Sequence, residues 1–457
     1  MIQHSLEKTA LLAIALSVLV CGCVSNIEKS QERFQNGFYR DAAQAVKKDS
    51  EKTSDVLSSL YYGSSQFMAG EPEEALKGFR KASELIDEQD HSLNWGSGYV
   101  AKSYEGFMSH TYQALCFLAL KQSDKARVIL NRLEESLGKV QERNRRVLEE
   151  SQEKLREERN KPENQSGMGL TKEALANSQN ISKQKELYQE LAKWGTYADY
   201  ENPASRLLSG LYRLFYAEDA SDLERAVFQL KRAAGMSGSA VGHRLFALAE
   251  GVASGRIPRS ELSKKVVVIY ENGLGPILKE ERIELIIPYH RPVYAGVAIP
   301  ILVKQEAAYP ALSLGMQGLT EPFCDFDRIA ATEYRKVLPR IVALEITKAI
   351  LKVAVQIVVS NEMEKHHGEL AGFLTGLTGS IITMAITNAD TRCWGLLPKN
   401  YQVALIDRPD SNVLPITAST GVPLFQVELP PHVPVIVYVK APVNGLPATC
   451  MLLNPSR

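Results

Sequence analysis

Neither sign of charge is in excess. Fifty-three Lys and Arg stand against 53 Asp and Glu, so no net field draws the chain to nucleic acid or to an anionic surface. Catalytic signatures are missing too. There is no G-x-S-x-G, Walker loop, H-E-x-x-H or C-x-x-C, and so no pattern that implies a cofactor, a metal or a catalytic residue. Cysteine is scarce, at six residues. Cys116, Cys324, Cys393 and Cys450 follow no zinc spacing. Uncharged runs long enough to span a bilayer, about 20 residues, are nearly absent. Beyond the uncharged N-terminal stretch 9–27, one candidate lies at 370–388, where Gly372 and Gly376 form a small-xxx-small pair that favours close helix contact.

What is present begins with the leader. Lys8 precedes an apolar run from Ala10 to Val20, within the ~7–15 residues of a signal-peptide core. The run ends at Val20-Cys21-Gly22-Cys23, which resembles a bacterial lipobox. Cleavage before Cys23 discards Cys21 and makes Cys23 the lipidated first residue of the mature chain. An ordinary secretory signal with two incidental cysteines is the alternative. Val24 follows instead of the Asp that retains lipoproteins in an inner membrane. The expected location is therefore the cell envelope, at the outer membrane and facing the periplasm.

From Asn26 to about Ala253 the chain is rich in Ala, Leu, Glu, Lys and Gln, a helix composition. The window LYYGSSQFMAGEPEEALKGFRKASELI places Gly63, Ala75, Phe79 and Ala82 where a tetratricopeptide unit puts its packing residues. Gly70 and Pro72 mark the turn between its helices. Gly37 with Ala42, Ala114 with Ala126, and Gly210 with Ala226 and Ala233 repeat the pattern more weakly. A charged helix, GKVQERNRRVLEESQEKLREERNK, leads into a polar linker, KPENQSGMGLTKE. Solenoids of this kind present a concave groove to a protein partner. Tyr104, Glu105, Tyr112, Trp194 and Tyr212 are its candidate lining. The aromatic residues serve equally as hairpin core. Glu105 and His110 can salt-bridge along one helix.

At Lys264 the pattern changes. VVVIY, RIELIIP, PVYAGVAIPILV, YQVALI, LFQVEL, PVIVYV and ATCMLL read as about seven strands of an antiparallel sandwich or barrel. Between the strand groups, 327–388 reads as a helical hairpin. Glu271 and Asn272 fit a turn. Asp390, Arg392 and Trp394 fit a structural corner, and His366-His367 with Glu362 and Glu369 fit an exposed turn better than a metal site.

The fold class is thus multidomain α + β: tetratricopeptide-like α-hairpin repeats, then an antiparallel β domain with an inserted helical hairpin. The expected divisions are a signal peptide at 1–22, repeats at 23–138, a charged helix and linker at 139–180, a further repeat at 181–255, and the β domain at 256–457.

YEGFMSHTYQALCFLALKQSDKARVILNR, NPASRLLSGLYRLF, VVVIYENGLGPILKEERIELIIP and NADTRCWGLLPKNYQVALI occur in that order. Together they resemble a largely uncharacterised family of bacterial envelope lipoproteins with a tetratricopeptide-like N-terminal half. The resemblance covers most of the mature chain. It implies no catalytic residue and suggests a setting in envelope or cell-wall assembly. Cys393 departs from the family pattern, so no disulfide is carried over.

The functional expectation is a lipid-anchored, non-enzymatic scaffold for an envelope protein partner, held to the membrane through its anchor and binding no nucleic acid. Two alternatives stand beside it. One is an enzyme or binding module acting on cell-wall or surface glycans, with Asp325, Asp327 or Asp390 as acids. The other is a membrane-inserting export component using 370–388.

Overall fold

The computed structural model describes residues 25–52, 55–91, 99–198, 200–289, 293–367 and 388–455. The leader, Cys23 and all of 370–388 except Asn388 lie outside the described residues. So do Glu369 and the side chains of Glu362, His366 and His367. The described chain is mixed α and β.

Helices come first: α1 (Asn26–Gln35), α2 (Tyr39–Ser50), α3 (Val56–Met68), α4 (Pro72–His91), α5 (Ser103–Ala119) and α6 (Ser123–Asn160). They pack as successive antiparallel neighbours, α1 on α2, α3 on α4, α5 on α6. Local chemistry sets their ends. Ser25 and Glu28 form a reciprocal capping box at α1. Asp55 accepts from the Ser58 amide at α3. Gly70 takes φ +77 in the turn between α3 and α4.

The crossing of α3 and α4 is set by two glycines. A Cβ at Gly63 would fall 2.8 Å from the Phe79 ring, and one at Gly78 would fall 2.6 Å from the Gly63 amide nitrogen. A later group comprises α7 (Met168–Ala176), α8 (Ser178–Ala192), α9 (Pro203–Phe215), α10 (Ala220–Ser237) and α11 (Ala240–Ala253).

The division expected at 138/139 falls inside α6, which runs unbroken from Ser123 to Asn160. The expected loose linker is also ordered. It forms a 3₁₀ turn, Pro162–Gly167, and then α7. Gly167 sits against Ala354 and Val355 of α12 (Phe326–His367), with only 3.0 Å to a would-be Cβ. Packing on another helix holds a segment whose composition alone reads as a loop.

Ten strands are described, β1 (Lys265–Asn272), β2 (Ile277–Ile287), β3 (Val293–Val303), β4 (Leu312–Ser313), β5 (Glu321–Asp325), β6 (Asn400–Asp407), β7 (Val413–Ala418), β8 (Pro423–Glu428), β9 (Val435–Ala441) and β10 (Thr449–Leu453). The central sheet has the order β10-β9-β1-β6-β5. It is mixed, not purely antiparallel as expected, because β1 runs parallel to β9. β1 is apolar on both faces because each face of the sheet is covered by a core, as strands buried on both sides are.

Alternation on the sheet assigns its two faces. Val267, Ile269, Ile436 and Tyr438 join the core shared with the helices. Val266, Val268, Val435 and Val437 face a second core, closed by the small sheet β4-β7-β8. A third core lies where the β2–β3 ribbon meets α12, α7 and α8. The first core runs without a break from Phe34 in α1 to Leu453 in β10. Helices and central sheet therefore bury one common apolar interior. No helix among the described residues is long and apolar enough to cross a membrane.

Candidate functional site

The face of the helical hairpins expected to hold a partner is filled by the protein's own sheet. Trp394 donates from Nε1 to Ser64 Oγ at 2.9 Å and lies beside Phe79 and Tyr112. Tyr39 donates to the Pro447 carbonyl (2.7 Å), and Thr449 donates to the Met68 carbonyl (3.0 Å). Tyr104, Glu105, Tyr112 and Tyr212 are buried; of the four, only Tyr104 also edges an open cleft, the one beside α12. Trp194 is half-buried, with the Lys304 ammonium 4.9 Å from its ring centroid. It lines a surface groove between α8 and the β2–β3 ribbon.

At the centre of the junction is an ion pair shut away from water. Glu271 is 0 % exposed, and the Lys440 side chain 1 %. The parallel register makes them Cα partners, and the antiparallel register puts Tyr401 on Glu271's other side. Lys440 donates to Glu271 and, at 2.7 Å, to the Tyr112 hydroxyl. Tyr112 from α5 and Tyr438 from β9 each donate to the carboxylate.

Burial first, then the Glu271 charge, holds the Tyr112 and Tyr438 hydroxyls well above their usual range. Burial pulls the Lys440 ammonium down, and Glu271 opposes that. The cluster ties α5 to the sheet and gives no access to a substrate. Glu271 and Asn272 are thus the last residues of β1 and not turn residues. Asn272 pins the loop at Ala308 and Tyr309, accepting from both amides at 2.9 and 3.2 Å. The turn follows at Gly273, φ +66.

Glu105 does not salt-bridge His110. Five residues apart on a helix is about 140° of rotation. The carboxylate instead accepts from Tyr99 (2.6 Å), the Lys102 amide (2.8 Å) and the Trp394 amide (3.0 Å). Asp390 and Arg392 pair with each other at 2.7 Å, both part-exposed. Asp327 pairs with Lys399 at 2.8 Å, and burial raises its carboxyl. Asp325 accepts from the Asp327 amide at the start of α12. Tyr212 donates to the Ser123 carbonyl and stacks on Tyr216.

An open cleft remains between α12, α6, the β2–β3 ribbon and the segment ahead of β6. Its volume is about 490 Å³, within the roughly 300–1,000 Å³ of ligand clefts. Its apolar lining includes Val337, Ile341 and Leu344, one stripe of α12 at helical spacing. The opposite stripe of α12, Leu338, Val342 and Ile346, is in the third core. Apolar residues on both sides mark a helix that packs on more than one face.

Glu333 and Arg143 are the buried part of the cleft's polar wall. Glu333 accepts from the Ser103 amide at 3.0 Å, a carboxylate at the N-terminus of α5. Arg143 holds Asp90 (2.8 Å) and the Ala101 carbonyl (2.7 Å). Asp390 is the one expected acid that lines the cleft; Asp325 and Asp327 do not. The Cys393 thiol, also on its wall, is pushed up to about 11 by burial. No His, Cys, Asp and Glu group among the described residues is arranged to hold a metal.

Sequence reading missed Lys440, Glu333 and Arg143. A single lysine in VIVYVKA, otherwise apolar, was the visible signal for the first.

A scan of family models, a search of curated proteins and a search of solved structures each found no match to this chain.

Proposed function

We propose that this chain is a lipid-anchored envelope protein, tethered through Cys23 at the outer membrane, that works without catalysis as a binding scaffold. In this reading its tetratricopeptide-like hairpins do not offer their concave groove. They form one half of a rigid body whose other half is the sheet, and 327–388 is a helical hairpin inserted in that body. The partner is an envelope protein that inserts apolar side chains into the cleft beside α12.

One observation carries the reading. Val337, Ile341 and Leu344 are only part-buried in an open cleft that Tyr104 also edges, while Tyr112 and Tyr212 are used up inside the molecule. An apolar centre ringed by charged side chains such as Lys102, Lys348 and Arg392 is how protein interfaces are organised.

A photo-crosslinking residue at Ile341 or Leu344 of the lipidated protein in intact cells tests it. The expected result is one reproducible protein adduct from both positions and none from Phe228, which is exposed elsewhere. Adducts to lipid alone, or the same adducts from Phe228, would defeat the reading.

A further inference from the structure

A second cavity lies on the outer side of the helical hairpins. α5 forms the floor of a groove of about 630 Å³ between α4 and α6. Gly106 contributes no side chain to that floor, and His110 stands one turn further on. The imidazole is 5 % exposed and lines the groove, and its Nδ1 is buried with no hydrogen-bond partner. Such a group costs roughly 1–3 kcal/mol when left unfilled. Arg146 repeats the anomaly in the same groove. Its Nε is buried and makes no hydrogen bond, with the Glu142 carboxylate 3.9 Å away, although its Nη1 donates to the Asp90 carbonyl at 3.0 Å.

Both unfilled groups can donate: a guanidinium Nε always, a neutral imidazole from one nitrogen. The His110 ring is neutral at ordinary pH, since burial first and the Arg132 charge second pull its pKa down to about 4. Charge in the groove is also uneven. Its carboxylates are engaged: Asp90 by Arg143 at 2.8 Å, Glu135 by Lys139 at 2.5 Å, and Asp87 by a further interaction. Arg132 lines the groove, and no carboxylate among the described residues holds it. Two donors without hydrogen bonds, with Arg132 and Lys102 as cations that no carboxylate among the described residues pairs, define an acceptor of negative charge.

We propose that the groove between α4, α5 and α6 binds a tetrahedral oxyanion of the phosphate type. Arg132 supplies the opposing charge. Arg146 Nε–H donates a hydrogen bond, and His110 Nδ1–H a second, directly or through one water. A phosphate of this kind comes either as the free ion or as the headgroup of an anionic lipid. The site adjoins the apolar cleft and shares Lys102 and Arg143 with it, but His110, Arg132 and Arg146 do not line that cleft.

The test uses the whole mature chain. Thermal unfolding is followed in inorganic phosphate against chloride at matched ionic strength, and sedimentation is followed with phosphatidylglycerol vesicles against uncharged detergent micelles. Arg132→Ala and Arg146→Ala are compared with wild type; Arg132 is exposed, so its loss leaves the fold intact. The expected result is stabilisation by phosphate, or retention on the vesicles, weakened about 10-fold in each variant, the equivalent of one lost charge-assisted hydrogen bond. A phosphate effect assigns the free ion, and a vesicle effect without it assigns the headgroup. No effect of either probe, or effects equal in wild type and Arg132→Ala, overturns the proposal.

Discussion

Glu271 is held between Tyr401 and Lys440 by strand register, and Tyr112 reaches it from α5. Removing one member of a buried pair leaves the other charge uncompensated, at a cost of about 3–5 kcal/mol. Lys440→Met is therefore expected to lower unfolding free energy by that amount in urea titrations. Glu271→Gln with Lys440→Met is expected to cost less than the two single changes added together.

His110 gives a second residue-scale prediction. Its folded pKa of about 4 lies below the ordinary 6.5, so the unfolded chain binds the proton first. Stability contributed by the neutral ring is full above pH 6.5 and is lost as pH falls towards 4. The buried acids Asp327 and Glu333 are shifted upward and act in the opposite sense over part of this range. The readout is therefore the difference between wild type and His110→Phe. The variant should lose about 3 kcal/mol less between pH 7 and pH 4, measured by denaturant unfolding at each pH.

The sequence named Tyr112, Glu271 and Trp394 one by one. It could not bring them together, because Lys440 lies 328 residues from Tyr112 and strand order is not written in local pattern. Asp390 with Arg392 was legible, because a pair two residues apart meets through its own backbone.

At the scale of elements, close approach decides which glycines matter. At Gly78 an added Cβ meets backbone, Gly63 N at 2.6 Å and Ser59 O at 2.7 Å, and backbone cannot rotate away. Gly78→Ala should cost about 1–3 kcal/mol by overpacking. Gly235, inside α10, has nothing within 4 Å of a would-be Cβ. Gly235→Ala should instead stabilise by about 0.5–1 kcal/mol. Paired thermal melts separate the two.

Strands with strong period or dense β-branching, such as β1 and β3, were readable. β5 and β7 were not, because Pro322 and Pro415 sit inside strands of five and six residues, too short to keep a pattern around a proline as the eleven residues of β3 do around Pro300. Both strands do carry register shifts. β4 is two residues long and shows no period at all. The helical state of 162–176 was missed because its stabilisation comes from α12 and not from its own composition.

For the whole molecule, helices and sheet share one interior, so neither is expected to stand alone. Residues 25–255 expressed without the remainder would expose Phe67, Phe79 and Tyr112, which now pack on Trp394 and Tyr438. Such a fragment should bind a hydrophobic dye and aggregate, and co-expression with 256–457 should restore a soluble complex. Sedimentation of the fragment as a stable, dye-silent monomer would contradict the common interior. Sequence composition suggested two bodies because it changes at Lys264. A change of secondary structure type need not be a boundary in space.

The parallel pairing of β1 with β9 has one more consequence. Lys440 follows Glu271 by 169 residues, so the central sheet cannot close until β9 has been synthesised and has emerged. Until then the hairpins present their aromatic side to whatever surrounds a growing chain. Contacts this distant in sequence form slowly. The interval between the first helix and the ninth strand is therefore the time in which the apolar interior has no cover.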